Sequence, residues 1–178
     1  MKKDRPMPEA HFRLMALLFR VRDLLLPRMN ILREAGIRPG FNVLDYGSGP
    51  GGYIRAASEL VGDRGKVYAL DVHPLAVRMV KEIARKNRLG NVETILSGSG
   101  TGLPAGSVDV VLLYDTFHGL GDPEGVLREL HRVLRPGGTL SFTDHHMKEE
   151  EIMAEVTRGN LFRLKEKGRK THSFSRVA

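Results

Sequence analysis

The chain has 178 residues, 41% of them apolar and 28% charged, with a formal net charge of +7, which allows one domain with a sizeable core. It has no cysteine, and this excludes disulfides, thiolate metal sites and a cysteine nucleophile. The first residues are polar and the apolar run Leu14–Phe19 is too short to cross a bilayer, so neither a signal peptide nor a membrane span is read and the expected location is cytoplasmic.

The first predicted element is a helix over residues 9–26. Phe12, Met15, Ala16 and Phe19 recur at helical spacing, and Leu14, Leu17, Leu18, Val21, Leu24 and Leu25 widen the stripe. Pro27 stands where this helix should break. His11, Arg13, Arg20, Arg22 and Arg28 decorate it, and the residues alone leave plain core packing or contact with a membrane surface as readings. A short helix over 30–35 ends at Gly36, and Pro39-Gly40 turns the chain into its first strand.

Strands and helices then alternate. Strands are predicted near 42–46, 66–71, 91–96, 108–113 and 139–144, and helices near 51–61, 74–88, 122–134 and 148–157. Val108-Asp-Val-Val-Leu-Leu113 is nearly continuous in apolar residues, as a strand buried on both faces should be. Such alternation implies a parallel sheet with right-handed crossovers. Arg135-Pro-Gly-Gly138 reads as a tight turn into the fifth strand. Leu161–Glu166 and Thr171–Arg176 are short alternating runs around Lys167-Gly168-Arg169-Lys170, and they read as a hairpin. That stretch is the densest in positive charge, which is read as a solvated face.

Chemistry concentrates in Val43-Leu-Asp-Tyr-Gly-Ser-Gly-Pro-Gly-Gly-Tyr53, an apolar strand running through an acid into a glycine loop that opens a helix. A dinucleotide would set its diphosphate on the helix N-terminus and its ribose on Asp71. Asp45 would then place a carboxylate beside two phosphate charges, and Pro50 removes one N–H from the cradle. A ligand with a cationic head suits Asp45 better. S-adenosylmethionine has that shape, with an ammonium and a sulfonium at one end and a ribose and adenine at the other. Asp71, ending the run Val67-Tyr-Ala-Leu-Asp71, can accept from both ribose hydroxyls, a bond typically worth about 1.5–3 kcal/mol. The structural alternatives are that Asp45 braces the loop and that Asp71 caps the helix before Pro74.

Four motifs stand in order: Leu44-Asp-Tyr-Gly-Ser-Gly-Pro-Gly51, Ala69-Leu-Asp-Val-His-Pro74, Leu103-Pro-Ala-Gly-Ser-Val-Asp-Val-Val111 and Glu129-Leu-His-Arg-Val-Leu-Arg-Pro-Gly-Gly-Thr-Leu140. Together they resemble the class I (Rossmann-like) S-adenosylmethionine-dependent methyltransferases, and within them the type 11 group that includes the ubiquinone/menaquinone C-methyltransferases. The resemblance covers residues 30–145. It implies an α/β fold: a doubly wound, mostly parallel seven-stranded sheet with a C-terminal antiparallel hairpin strand. It also implies an N-terminal helical cap over 1–36 that covers the cofactor and shapes the substrate mouth. Residues 37–178 would form the cofactor-binding part of a single compact domain. S-adenosylmethionine is the implied cofactor and S-adenosylhomocysteine its product.

By the same resemblance Asp45, Gly47, Ser48, Gly49 and Gly51 hold the methionine end, and Asp71 with Val72 the ribose. Gly98 and Ser99 face adenine, and Tyr114 opens the stretch that flanks the methyl group. Related enzymes commonly place an aspartate after the third strand to accept from the adenine amino group. Here the run is Ser97-Gly-Ser-Gly-Thr-Gly102, so a backbone carbonyl or the hydroxyl of Ser97 or Ser99 takes that part.

His118, Asp115 and His145 are the candidates for substrate contact. Imidazole is the side chain whose ordinary titration suits a base near neutral pH, where an acceptor must lose a proton. Packing of the loop by His118 is the structural alternative. Asp144-His145-His146, followed by three glutamates, could share a divalent ion only if the strand ends before the pair, because adjacent strand residues face opposite sides. No metal is assigned. The Asn/Asp-Pro-Pro-Tyr motif of amide- and base-amine methyltransferases is absent. The expected reaction is methyl transfer to a small molecule not identified by the sequence. The alternatives are an RNA methyltransferase, favoured by charge but opposed by an aromatic content of only 6%, a cofactor-binding protein without turnover, and a nicotinamide dehydrogenase.

Overall fold

A computed structural model of the chain describes residues 7–25 and 28–177, without the side chains of 19–25. The readings placed on Pro27 and on the side chains of Phe19, Arg20, Val21, Arg22, Leu24 and Leu25 lie outside the described residues. The helices are α1 (Glu9–Leu25), α2 (Met29–Glu34), α3 (Ile54–Val61), α4 (Pro74–Asn87), α5 (Pro123–Val133) and α6 (Glu149–Thr157). The strands are β1 (Asn42–Tyr46), β2 (Lys66–Asp71), β3 (Val92–Leu96), β4 (Val108–Tyr114), β5 (Leu134–Thr143), β6 (Phe162–Lys167) and β7 (His172–Arg176).

Alternation along the strands builds two cores. In β1 and β4, Leu44, Tyr46, Val111 and Leu113 face a cluster with Val126, Leu127 and Leu130 of α5 and with Ile152 and Val156 of α6. Val43, Val110 and Leu112 face the other side, where Ile31, Leu32, Ile54, Ala57, Val61 and Val80 come from α2, α3 and α4. Every residue of β4 is buried, as its sequence demands. The one acid in that run, Asp109, is satisfied: it accepts from the Asn42 N–H at 2.6 Å and pairs with Arg135 at 2.7 Å.

The sheet order is β3-β2-β1-β4-β5-β7-β6. The first five strands run parallel, and β7 inserts antiparallel between β5 and β6. The chain winds outward from β1 to β3 and then returns to β4 beside β1. That reversal opens a crevice at the carboxyl ends of β1 and β4, the usual ligand position in such sheets. Among the described residues no helix is long and apolar enough to cross a membrane.

Helix boundaries follow local chemistry. Pro74 and Pro123 occupy first-turn positions, where a missing N–H is harmless. Asp122 caps α5 by accepting from the Gly125 N–H at 2.9 Å. The helix predicted from residue 51 starts at Ile54, because Gly51 instead closes a turn onto the Ser48 carbonyl at 3.0 Å. The Arg135-Pro-Gly-Gly segment is an excursion inside β5 rather than a turn before it. Leu134 already pairs with Val108, and pairing resumes at Thr139 with Val110. The basic hairpin lies at the surface. Its Lys167 pairs with Glu149 of α6 at 2.6 Å, and its turn donates the Lys170 and Thr171 N–H groups to Glu34 of α2.

The hairpin strand is held by Phe174, fully buried and in edge contact with Phe142 at 6.4 Å between ring centres. Phe174→Ala is expected to cost about 3–5 kcal/mol of stability. Urea unfolding reads this as a lower midpoint, and an unchanged midpoint would show that the inserted strand is not part of the cooperative core.

Candidate active site

A cavity of about 390 Å³ opens at the carboxyl ends of β1, β2 and β4. The glycine loop forms its floor. Gly47 has φ of 80°, and a side chain there would run into Thr116. The N–H groups of Gly47 and Ser48 both donate to the Leu70 carbonyl, at 2.8 and 2.9 Å, so the loop is pinned to the end of β2. Gly51, with φ of 87°, lies under the loop against Val80 and Ile83 of α4, where a Cβ would come within 2.9 Å of Ile83 Cδ1.

Two acids meet in the cavity. Asp45, next to last in β1, is buried, and its Oδ2 has no hydrogen-bond partner. Burial, with the neighbouring Asp71 carboxylate adding to it, pushes the Asp45 carboxyl up to about 7. The Ser48 hydroxyl is a second buried atom without a partner. Asp71, ending β2, accepts from the Gly49 N–H at 2.8 Å and from the His73 N–H at 2.7 Å. Burial raises its carboxyl and these two bonds offset part of the rise, leaving it above the usual range. Each Asp71 oxygen keeps a further lone pair for a ligand. A cation and a diol fit this pair, and a diphosphate does not.

The cap of α4 is His73, not Asp71. Its Nδ1 accepts from the Leu75 N–H at 3.0 Å, which leaves Nε2 to donate to the Met7 carbonyl at 2.9 Å. The Phe12 ring lies 4.3 Å from the His73 ring. These contacts carry the start of α1 over the cavity, where Met7, Phe12 and Met15 join the lining.

The run after β3 is held at both ends. The Ser97 N–H donates to the Asp71 carbonyl at 3.1 Å. Thr101 donates both its N–H and its hydroxyl to Glu129 of α5, at 2.8 and 2.6 Å. Ser97 and Gly98 line the cavity. Ser99 sits behind them, its carbonyl accepting from the Tyr46 hydroxyl at 3.3 Å.

At the mouth, β4 and β5 each deliver an acid that holds a histidine. Asp144, whose side chain has no exposed surface, accepts at 2.9 Å from Nδ1 of His118 and at 3.1 Å from its N–H. Burial alone would raise the Asp144 carboxyl, but the bonds from His118 and from the His146 N–H outweigh it and hold it below the usual carboxylate range. A carboxylate only accepts, so Nδ1 of His118 carries the proton and Nε2 the free lone pair. Asp115, at φ of 49°, accepts from Nδ1 and the N–H of His145, at 2.7 and 3.1 Å. The strand has ended at Thr143, so the rings of His145 and His146 come together at 3.9 Å, with His118 a further 4.2 Å from His146. Asp115, Asp144 and His145 each bring a ligand-type atom within 4.8 Å of the others, with Asp115 Oδ1 and both Asp144 oxygens already accepting from N–H donors. Tyr114 points its hydroxyl at Ser141, 2.7 Å away, and burial raises its phenol despite that bond.

Asp45, Gly47, Ser48, Gly49, Asp71, Val72, Gly98, Tyr114, Asp115 and His118 therefore surround one cavity. Gly51, Ser99 and His145 stand just outside it. Sequence reasoning passed over Met7 and the holding role of Asp144. The signal for Asp144 was present, an acid ending a strand beside the strand that delivers His118.

The raised Asp45 carboxyl couples stability to pH. An unfolded aspartate titrates near 4. Between about pH 4 and 7 the folded chain therefore holds more protons than the unfolded one, and stability falls as pH rises through that window. Asp45→Asn should remove this component. Thermal melts from pH 5 to 8 should show the wild-type midpoint falling relative to the variant. Parallel curves would exclude a buried Asp45 charge as the cause.

Residues 37–174 match a family model described as a methyltransferase domain. The chain is 28% identical over 127 residues to the ubiquinone/menaquinone biosynthesis C-methyltransferase UbiE of Shewanella sediminis, covering 70% of this chain and 51% of that protein. It thus spans about half the length of the curated relatives it matches. A SAM-dependent methyltransferase from Aquifex aeolicus superposes with a TM-score of 0.80 at 27% identity, over 97% of this chain and 100% of that one. TrmN from Thermus thermophilus shares the fold, with a TM-score of 0.68 at 23% identity over 83% of this chain and 47% of that one. The unpartnered Asp45 oxygen and the Asp71 carboxylate suit the ammonium and ribose of the family's cosubstrate. The chain belongs to the methyltransferase domain family, as a class I S-adenosylmethionine-dependent methyltransferase.

Proposed function

We propose that this chain methylates a small acceptor that loses a proton from the attacking atom, with His118 as the base. The observation that carries the reading is the His118–Asp144 pair at the open side of the cofactor cavity. Bound S-adenosylmethionine supplies an electrophilic methyl on a sulfonium that departs as a neutral thioether. In this reading Asp45 and the Ser48 hydroxyl hold the ammonium, and Asp71 accepts from the ribose hydroxyls. Val72, Ser97 and Gly98 flank the adenine. The start of α1 with the residues just before it acts as the cap, while α2, expected to belong to it, packs into the core instead; Met7, Phe12 and Met15 exclude water so that positioning and desolvation lower the barrier.

His118 Nε2 takes the proton of the acceptor. Such proton transfer typically contributes about 10²–10⁴ in rate, and Asp144 fixes the ring and stabilises the imidazolium that forms. Asp115 and His145 give the acceptor polar contacts at the rim. A phenol or an enolisable carbon needs such a base, and the relatives' description as C-methyltransferases favours a carbon nucleophile. The rim residues from α1, the segment just before it and the loop after β4 include Met7, Met15 and Leu120, which suit a small apolar ring better than a base-stacking platform for RNA.

Asp71→Ala should weaken S-adenosylhomocysteine binding tenfold or more with the fold retained. Calorimetric titration checks this, and unchanged affinity would displace the ribose assignment. His118→Asn should leave that affinity within about twofold while transfer of a labelled methyl group to phenolic and 1,3-dicarbonyl acceptors falls about 100-fold. Equal turnover in the variant would remove His118 as the base. Tight cofactor binding with no transfer by the wild type to any acceptor would favour a binding protein without turnover.

A further inference from the structure

Helix α1 carries two apolar stripes, and the fold uses only one of them. Phe12 and Ala16 are buried with Met15 beside them, against Leu75, Ala76 and Met79 of α4. Leu14, Leu17 and Leu18, spaced three and four residues apart, point the other way and are 59%, 58% and 61% exposed. Met7, just before the helix, is 44% exposed. These are four of the six large apolar side chains exposed among the described residues. At sequence level the outer stripe continues at helical spacing through Val21, Leu24 and Leu25.

The N-terminal stretch that carries this stripe is net positive in sequence. The first 28 residues contain seven Lys and Arg against three Asp and Glu, more than half of the chain's net +7. Arg13 within α1 and Arg78 of α4 flank the helix at the surface and share one acid, Glu9, at 3.7 and 3.4 Å, so this exposed group keeps a net positive charge. A second copy of the chain is a poor occupant. The three leucines offer on the order of 300 Å² of apolar surface, and a stable dimer needs about 800 Å² from each partner. Interface centres also favour aromatic anchors, and none is described on this stripe. Aliphatic side chains bordered by arginines instead suit the boundary between lipid headgroups and acyl chains. There the leucines sink in and the guanidinium groups reach the phosphates.

We propose that the outer face of α1 seats this chain on an anionic lipid surface, with the helix lying in the plane of the headgroups. The inner face of the same helix then roofs the cofactor cavity from directly beneath the bilayer. Docking is independent of the acceptor chemistry, because Leu14, Leu17 and Leu18 do not line the cavity.

The test is flotation of the full chain with phosphatidylcholine vesicles containing about one-third phosphatidylglycerol, and with pure phosphatidylcholine vesicles. The bound fraction should be at least tenfold higher on the anionic vesicles. It should collapse at about 1 M salt, where the screening length is about 3 Å. The double variant Leu17→Glu/Leu18→Glu should lose vesicle binding while its affinity for S-adenosylhomocysteine, read by calorimetry, stays within twofold. If that variant does not fold, Leu17→Asn gives the same reading with a smaller drop. Absence of flotation with anionic vesicles, or flotation that survives substitution in a folded variant, overturns the proposal. So does a dimer seen by light scattering that the double variant abolishes while vesicle binding is unaffected, because the face then belongs to a second copy.

Discussion

Two buried carboxylates where β1 and β2 run out share one crevice, and the arrangement of the whole site answers to them. Asp45 has a buried oxygen with no donor, and Asp71 stands close enough to make its ionisation harder still. An isolated buried charge is costly, and a second of the same sign raises the cost. The fold gives Asp71 two backbone N–H groups and gives the free oxygen of Asp45 none. The crevice is therefore preorganised for a positive group, and that separates this glycine loop from those that cradle phosphate.

The loop takes its shape from neighbouring strands as much as from its glycines. Leu70 ends β2 with a carbonyl that receives two loop N–H groups, so the donors that would grip a phosphate are turned inward. Gly47 then lies against Thr116 from the segment after β4. These contacts tie the ends of β1, β2 and β4 into one unit. The same unit receives α1 through the bond from His73 to the Met7 carbonyl, so a side chain that caps one helix also anchors another over the cavity.

The mouth depends on the pairing of β4 with β5. Tyr114 pairs with Thr143, and the residue after each is an acid. Each acid accepts from a histidine carried by the other strand's continuation: Asp144 holds His118, and Asp115 holds His145. A parallel register thus converts two local sequences into crossed pairs. Burial of Asp144 makes its pair the more rigid of the two, while His145 remains largely in solvent.

The sequence by itself determined the alternation of elements, the buried central strand, the inserted hairpin and the acids where β1 and β2 run out. Each of these is written in a local period or in a motif whose spacing the backbone must obey. It also placed His118 and Asp115 beside the cavity through the order of its motifs. Only the tertiary structure decided that Asp144 holds His118, that His73 rather than Asp71 caps α4, and that β5 begins before its glycines. It alone showed that Ser97, not Ser99, reaches the cavity and that Leu14, Leu17 and Leu18 of α1 face outward. The reason is physical. A hydrogen bond between residues 26 apart, such as that from His118 to Asp144, or 66 apart, such as that from His73 to Met7, leaves no periodic trace, because it exists only once neighbouring strands and helices have fixed the distance between the groups.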